Sequence, residues 1–396
     1  MRIMYCICAF LLFGVALFAQ TSVPPLEQAL AELRSDTQAR ADHQAYPITG
    51  IRPDDVREVL AGIKSLDPNE WAAAWDAMGE RHMQQAKFAK EKSDAREQYR
   101  QAWLDFMFGG WPATNSPGKK ASYTKATEAF RAYGALMDPP VEVVHIPFEG
   151  KEIVAYLRLP KGARPAPVVM TIGGLDEYKE YGIEHQSISY VAAGVGVLAI
   201  DMPGTGESPV KAEIGSERAL AKAIDYLATR KEIDPKRIGV QGTSAGGYWS
   251  ALLAYTEKPR LKAVAVVGGP IDGYFTPEWQ LGSWGTKEYL FGLKEARMYV
   301  FGYNDEKQFL DGIQRFSLQK RGMLAKPSAP MLVVNGEKDT QVPIADLYLL
   351  LRTGQPKFAW VNPTGGHTGR SNEMSEEKIA TTVIVPWMKL MLNAAN

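Results

Sequence analysis

The sequence predicts an α/β protein, a doubly wound and mostly parallel sheet preceded by an N-terminal helical domain. Three observations carry that prediction. Residues 26 to about 137 repeat their apolar positions at helical spacing. The pattern changes at Pro139-Pro140, where two β-branched runs flank a Glu149-Gly150-Lys151 turn. From there to the end, short apolar runs alternate with helical stretches, the signature of strand–helix units around one sheet.

Taken in order, residues 1–20 read as a secretory signal peptide. Arg2 supplies a positive charge, Ile3 to Phe18 is almost unbroken apolar sequence, and Ala19-Gln20-Thr21-Ser22 turns small and polar. An uncleaved anchor is the alternative, although the run is short for a membrane span. Export to the periplasm or the medium is expected, with no stable membrane association after cleavage. Cys6 and Cys8 are the only cysteines, and both lie in this segment. The mature chain is therefore expected to carry no disulfide, thiolate metal site or cysteine nucleophile.

Residues 21–140 are expected to form the helical domain. Asp67-Pro68-Asn69-Glu70 joins a capping residue to Pro at the first helical position and Glu three residues after the cap. Trp71, Ala74, Trp75, Met78 and His82 follow on one stripe. A second helix is predicted from Ser93, with Tyr99, Ala102, Trp103 and Phe106. A third follows a break at Pro117-Gly118, with Tyr123, Ala126, Phe130 and Tyr133. These stripes read first as inter-helix packing.

Residues 141–396 are expected to form the catalytic domain. Strands are predicted at Val141–Ile146, Ile153–Leu159, Pro167–Ile172, Gly196–Ile200, Arg237–Val240, Ala263–Val267, Met331–Val334 and Lys357–Val361. Right-handed crossovers bring their following loops to the carboxyl edge of the sheet. The stretch from about 270 to 326 is too long for a loop and is aromatic. It is predicted to be a helical insertion, with Tyr274 and Trp279 as candidates for a substrate pocket.

The chemistry concentrates at three places. Gly242-Thr243-Ser244-Ala245-Gly246-Gly247 joins a predicted strand to a predicted helix, the setting in which Gly-x-Ser-x-Gly is a nucleophile elbow. A serine nucleophile needs a base, and the base needs an orienting acid. Asp339 follows the strand Met331–Val334, with Glu337 as the alternative acid. Of the five histidines, His367 alone follows both, giving the order Ser, Asp, His. Two N–H donors must face the developing oxyanion. Ala245, next to the nucleophile, is one, and Leu175 or else Gly174, after the strand Pro167–Ile172, is the other. The turn-rich loop Asp201–Ser208 reads as structural.

Lys+Arg and Asp+Glu balance at 45 each, which gives nucleic-acid binding no support. No cluster has metal-ligand spacing, and the glycine-rich loops lack phosphate or dinucleotide fingerprints. Neither metal nor cofactor is expected. The partner is a small-molecule acyl substrate, and a homodimer is left open.

Together, Gly173-Gly174-Leu175-Asp176-Glu177-Tyr178-Lys179-Glu180, the Asp201–Ser208 loop, the Gly242–Gly247 elbow and the aromatic helical segment before Pro147-Phe148-Glu149-Gly150 resemble one group of α/β-hydrolases. That group includes dihydroxypseudooxynicotine hydrolase, fungal polyketide-shortening hydrolases and bacterial esterase-like proteins. The likeness covers roughly residues 67 to 390. It implies an α/β-hydrolase fold with a helical lid and hydrolysis of an acyl bond, most simply a carboxylic ester. In some members the bond is C–C, next to a ketone. That chemistry needs a further proton donor, for which Glu278 and Asp272 are candidates. Gly246-Gly247-Tyr248 also resembles prolyl-oligopeptidase-type serine peptidases. Those carry a long β-propeller, for which the helical segment is too short, and His-Gly-Gly where this chain has Ile172-Gly173-Gly174.

Overall fold

The computed structural model of the chain describes residues 26–162, 164–353 and 357–394. The expected signal peptide lies outside them. No helix among the described residues is long and apolar enough to cross a membrane.

Five helices come first: α1 (Leu26–Asp42), α2 (Pro53–Gly62), α3 (Pro68–Phe88), α4 (Lys92–Gly110) and α5 (Pro117–Ala135). Asp67 caps α3 by accepting from the N–H groups of Asn69 and Glu70 at 2.8 and 3.0 Å. The expected break at Pro117-Gly118 is instead the first turn of α5. Ser116 Oγ accepts from Lys119 N–H, and proline without an N–H suits the opening position of a helix. Trp71 and Trp75 pack edge-on against Phe108, and Trp103 packs against Phe130.

The sheet has eight strands: β1 (Glu142–Phe148), β2 (Lys151–Arg158), β3 (Ala166–Ile172), β4 (Gly196–Ile200), β5 (Ile233–Thr243), β6 (Ala263–Val267), β7 (Met331–Gly336) and β8 (Lys357–Asn362). Their order is β1-β2-β4-β3-β5-β6-β7-β8. β1 pairs antiparallel with β2, and β2 antiparallel with β4. The remaining pairs are parallel. β5 begins earlier than its apolar run suggests, because Ile233 already pairs with Ala166 before the register shifts.

β3, β4 and β6 are buried along their whole length, as expected of parallel strands covered on both faces. Alternate residues serve two cores. Met170, Leu198, Val240, Val266 and Val333 pack with the helix that follows Ser244 and with the β6–β7 insertion. Val169, Val197, Ala265 and Val334 belong to a second core, continuous with Trp71, Trp75 and Trp103 of the N-terminal helices and with Met388 and Leu392 near the C-terminus. The N-terminal helices thus share a core with the sheet. The insertion contains helices at Pro277–Ser283, Leu293–Val300 and Glu306–Ile313. Its Phe291 packs against Trp71 and Trp111, so it meets the N-terminal helices above the carboxyl edge of the sheet.

Candidate active site

Ser244 sits between the end of β5 and the helix Ala245–Thr256, with φ 54° and ψ −124°. A non-glycine residue at such a φ is strained, and the surroundings enforce it. A Cβ on Gly246 would lie 2.2 Å from the Gly173 carbonyl oxygen, and one on Gly242 would lie 2.1 Å from that of Gly246. Side chains there are impossible without moving backbone. Ser244 N–H donates to the Val267 carbonyl at 2.7 Å, which anchors the elbow to the neighbouring strand.

His367 Nε2 lies 2.8 Å from Ser244 Oγ, and His367 Nδ1 lies 2.8 Å from Asp339 Oδ2. Burial acts to raise the pKa of the Asp339 carboxyl. The opposing charge of His367 and hydrogen bonds from His367, Val342 N–H and Asn335 outweigh it and hold the carboxyl below its ordinary value. Gln341 N–H also donates to it, at 2.7 Å. An ionised Asp339 can only accept, so it keeps the imidazole proton on Nδ1 and leaves Nε2 free to accept from the serine hydroxyl. Glu337 is exposed and takes the Tyr348 hydroxyl, away from His367.

Gly174, Leu175 and Ala245 line the same cavity as Ser244 and His367. A Cβ on Gly174 would stand 3.7 Å from Ser244 Oγ. Ala245 opens its helix, so its N–H has no intrahelical acceptor. Tyr274 lines the same cavity. Trp279 does not: its Nε1 donates to the Gln341 carbonyl at 2.9 Å, behind the wall that Gln341 forms. Neither Glu278 nor Asp272 lines it. Glu278 is exposed, and Asp272 accepts from the Ser317 hydroxyl.

Several wall residues were given no role in the sequence reading. Asp176, next to Leu175, accepts from Trp111 Nε1 at 2.6 Å, from the Tyr289 hydroxyl at 3.0 Å and from the Tyr46 hydroxyl. Burial raises its pKa, although the three donors counteract that rise. Arg370 forms an ion pair with Glu288 at 2.6 Å and stacks over Tyr46. Arg297, from the insertion, completes this side. A larger cleft borders the cavity and shares Tyr46, Glu288 and Arg370 with it.

A mostly parallel sheet carrying a strained serine elbow at its carboxyl edge defines the class, an enzyme of the α/β-hydrolase fold. The family model described as Esterase FrsA-like matches residues 49–357, and the chain belongs to that family. Esterase FrsA of Vibrio parahaemolyticus serotype O3:K6 (strain RIMD 2210633) is 24% identical over 329 residues, covering 82% of this chain and 75% of its own length. Hydrolase LUC6 of a Fusarium species is 28% identical over 266 residues, covering 60% and 62%. Among solved structures, 2,6-dihydroxy-pseudo-oxynicotine hydrolase superposes with a TM-score of 0.73 at 21% identity, covering 87% of this chain and 94% of its own. AbyA5 gives 0.68 at 20% identity, covering 84% and 92%. At such identities the structural likeness concerns the fold.

Proposed function

We propose that the protein is a carboxylesterase-type serine hydrolase that works through an acyl-enzyme. Ser244 attacks the acyl carbon as His367 takes its proton, and Asp339 holds the imidazole in the required tautomer. The N–H groups of Ala245 and Leu175, or of Gly174 in place of Leu175, stabilise the oxyanion. His367 then protonates the leaving alcohol, and water attacks the ester on Ser244 with His367 again as base. The observation that carries this reading is the unbroken chain Ser244 Oγ–His367–Asp339, with both links at 2.8 Å. Membership of an esterase family agrees with it.

The N-terminal helices act in this reading as a lid, since Tyr46 and Trp111 reach the cavity wall. Residues 1–20 direct export. The test is covalent. A fluorophosphonate should leave its phosphonyl group on the peptide containing Ser244, and Ser244→Ala should take up none. Labelling elsewhere, with Ser244 untouched, would defeat the reading.

A further inference from the structure

We propose that Arg297 is an anion-binding residue of the serine cavity, and that the substrate carries a carboxylate besides the acyl bond offered to Ser244. The inference rests on the hydrolase reading above and names a class of substrate for it.

Arg297 is 2% exposed and lines the cavity that contains Ser244 and His367. Among the described residues no carboxylate pairs with it. Nη1 donates to Gln280 Oε1 at 3.0 Å and to Ser283 Oγ at 2.6 Å, and Nη2 donates to Gln341 Oε1 at 3.2 Å. All three acceptors are neutral. Nε is buried and has no partner. The guanidinium stacks at 5.0 Å over Tyr274, another cavity residue. Burying a charge without a counter-charge is costly.

Two other buried cations are held differently. Lys179 meets Asp201 at 3.0 Å and Glu207 at 2.8 Å. Arg158 also lacks a carboxylate, but its three nitrogens all donate to protein oxygens, namely those of Pro139, Ser187 and Asp138, and it stands outside the cavity. Arg297 alone of these three combines an unpartnered nitrogen, an unneutralised charge and a place in the lining of the serine cavity.

The carboxylates of the cavity are engaged elsewhere. Asp176 takes its three neutral donors, while Glu288 and Glu376 pair with Arg370 at 2.6 and 3.8 Å, and burial beside other carboxylates raises the pKa of Glu177. The Arg297 acceptors are themselves fixed: Gln280 Nε2 donates to the Tyr274 carbonyl and Gln341 Nε2 to Thr286. Both amide oxygens are thereby turned toward the guanidinium, which fixes it in place. Arginine matches a carboxylate with paired N–H donors.

A purely structural role is the competing account, because Gln341 also donates its backbone N–H to Asp339. Two matched substrate pairs separate the accounts. Mono(4-nitrophenyl) glutarate against 4-nitrophenyl valerate puts the carboxylate on the acyl side. 4-Carboxyphenyl butyrate against its methyl-ester counterpart puts it on the leaving group. Wild type should favour one anionic member at least about tenfold in kcat/KM, and Arg297→Met should cut that ratio about 10- to 100-fold. Arg297→Lys should fall between. Ratios at or below one in wild type, or an equal loss on both members in Arg297→Met, would overturn the proposal. Glutarate should also raise the Tm of the full-length wild type, and less that of either variant, a readout that needs no turnover. No rise in wild type would count against the anion site. An Arg297-dependent rise with all four esters untouched would instead count against the hydrolase reading alone.

Discussion

Tyr46, in the turn between α1 and α2, donates its hydroxyl to Asp176, the residue next to Leu175. A side chain 130 positions upstream therefore helps to hold the loop from which an oxyanion donor is expected. Trp111 and Tyr289 complete the set of donors to the same carboxylate.

Removing one donor should be felt in both stability and rate. Tyr46→Phe leaves Asp176 with an unfilled lone pair, a loss of about 1–3 kcal/mol for a buried charged acceptor. The urea midpoint should fall accordingly, and ester turnover should drop with it. An unchanged midpoint would mean that the carboxylate is protonated or rehydrated without cost.

The elbow glycines are predicted to be irreplaceable. Gly246→Ala pushes a methyl against the carbonyls of Gly173 and Ile172, at 2.2 and 2.4 Å. Overpacking of this kind costs roughly 1–3 kcal/mol or more, and here it would displace Ser244 as well. Low soluble yield or a lowered Tm, with loss of activity in whatever folds, is the expected outcome.

Asp339 links stability to acid pH. Its folded pKa lies below the ordinary value, so its contribution is present above about pH 4 and is lost as pH falls through the folded value. Asp339→Asn should lose about 10⁴-fold in kcat at neutral pH, as expected when the tautomer is no longer enforced. Its stability deficit against wild type should shrink on acidification below about pH 4. Urea titrations of both proteins across pH 3 to 7 would read this.

Glu180 acts in the opposite sense. Burial raises its carboxyl to about 7, against the lowering effect of Lys179. Between the unfolded value near 4.3 and the folded value, the native state binds more protons than the unfolded one, so stability declines as pH rises. Glu180→Gln removes that decline. Relative to wild type, the variant should therefore stand better at pH 8 than at pH 5 in the same titration.

Much of the fold was legible because its signals are local. All eight strands were readable as short runs rich in β-branched or aromatic residues, and the elbow was readable because glycines, a strand and a helix start coincide at Ser244. The order of Ser244, Asp339 and His367 follows from the chain alone. The cavity wall was far less legible. Tyr46, Trp111, Tyr289 and Arg297 come from segments that only tertiary packing brings together, and helical spacing tells which face is buried but not what lies opposite. Tyr274 and Trp279 illustrate the limit, since they share one aromatic segment and only Tyr274 reaches the cavity. Pro117 misled for a local reason, because proline marks a helix start as readily as a break.

The central claim is that Ser244 is the nucleophile of an ester hydrolase. The most direct test is kcat/KM on 4-nitrophenyl butyrate for wild type and for Ser244→Ala, with circular dichroism to show that both are folded. The account predicts measurable turnover by wild type and a loss of at least about 10⁴-fold in the alanine variant. A folded Ser244→Ala that hydrolyses the ester within tenfold of wild type would contradict it.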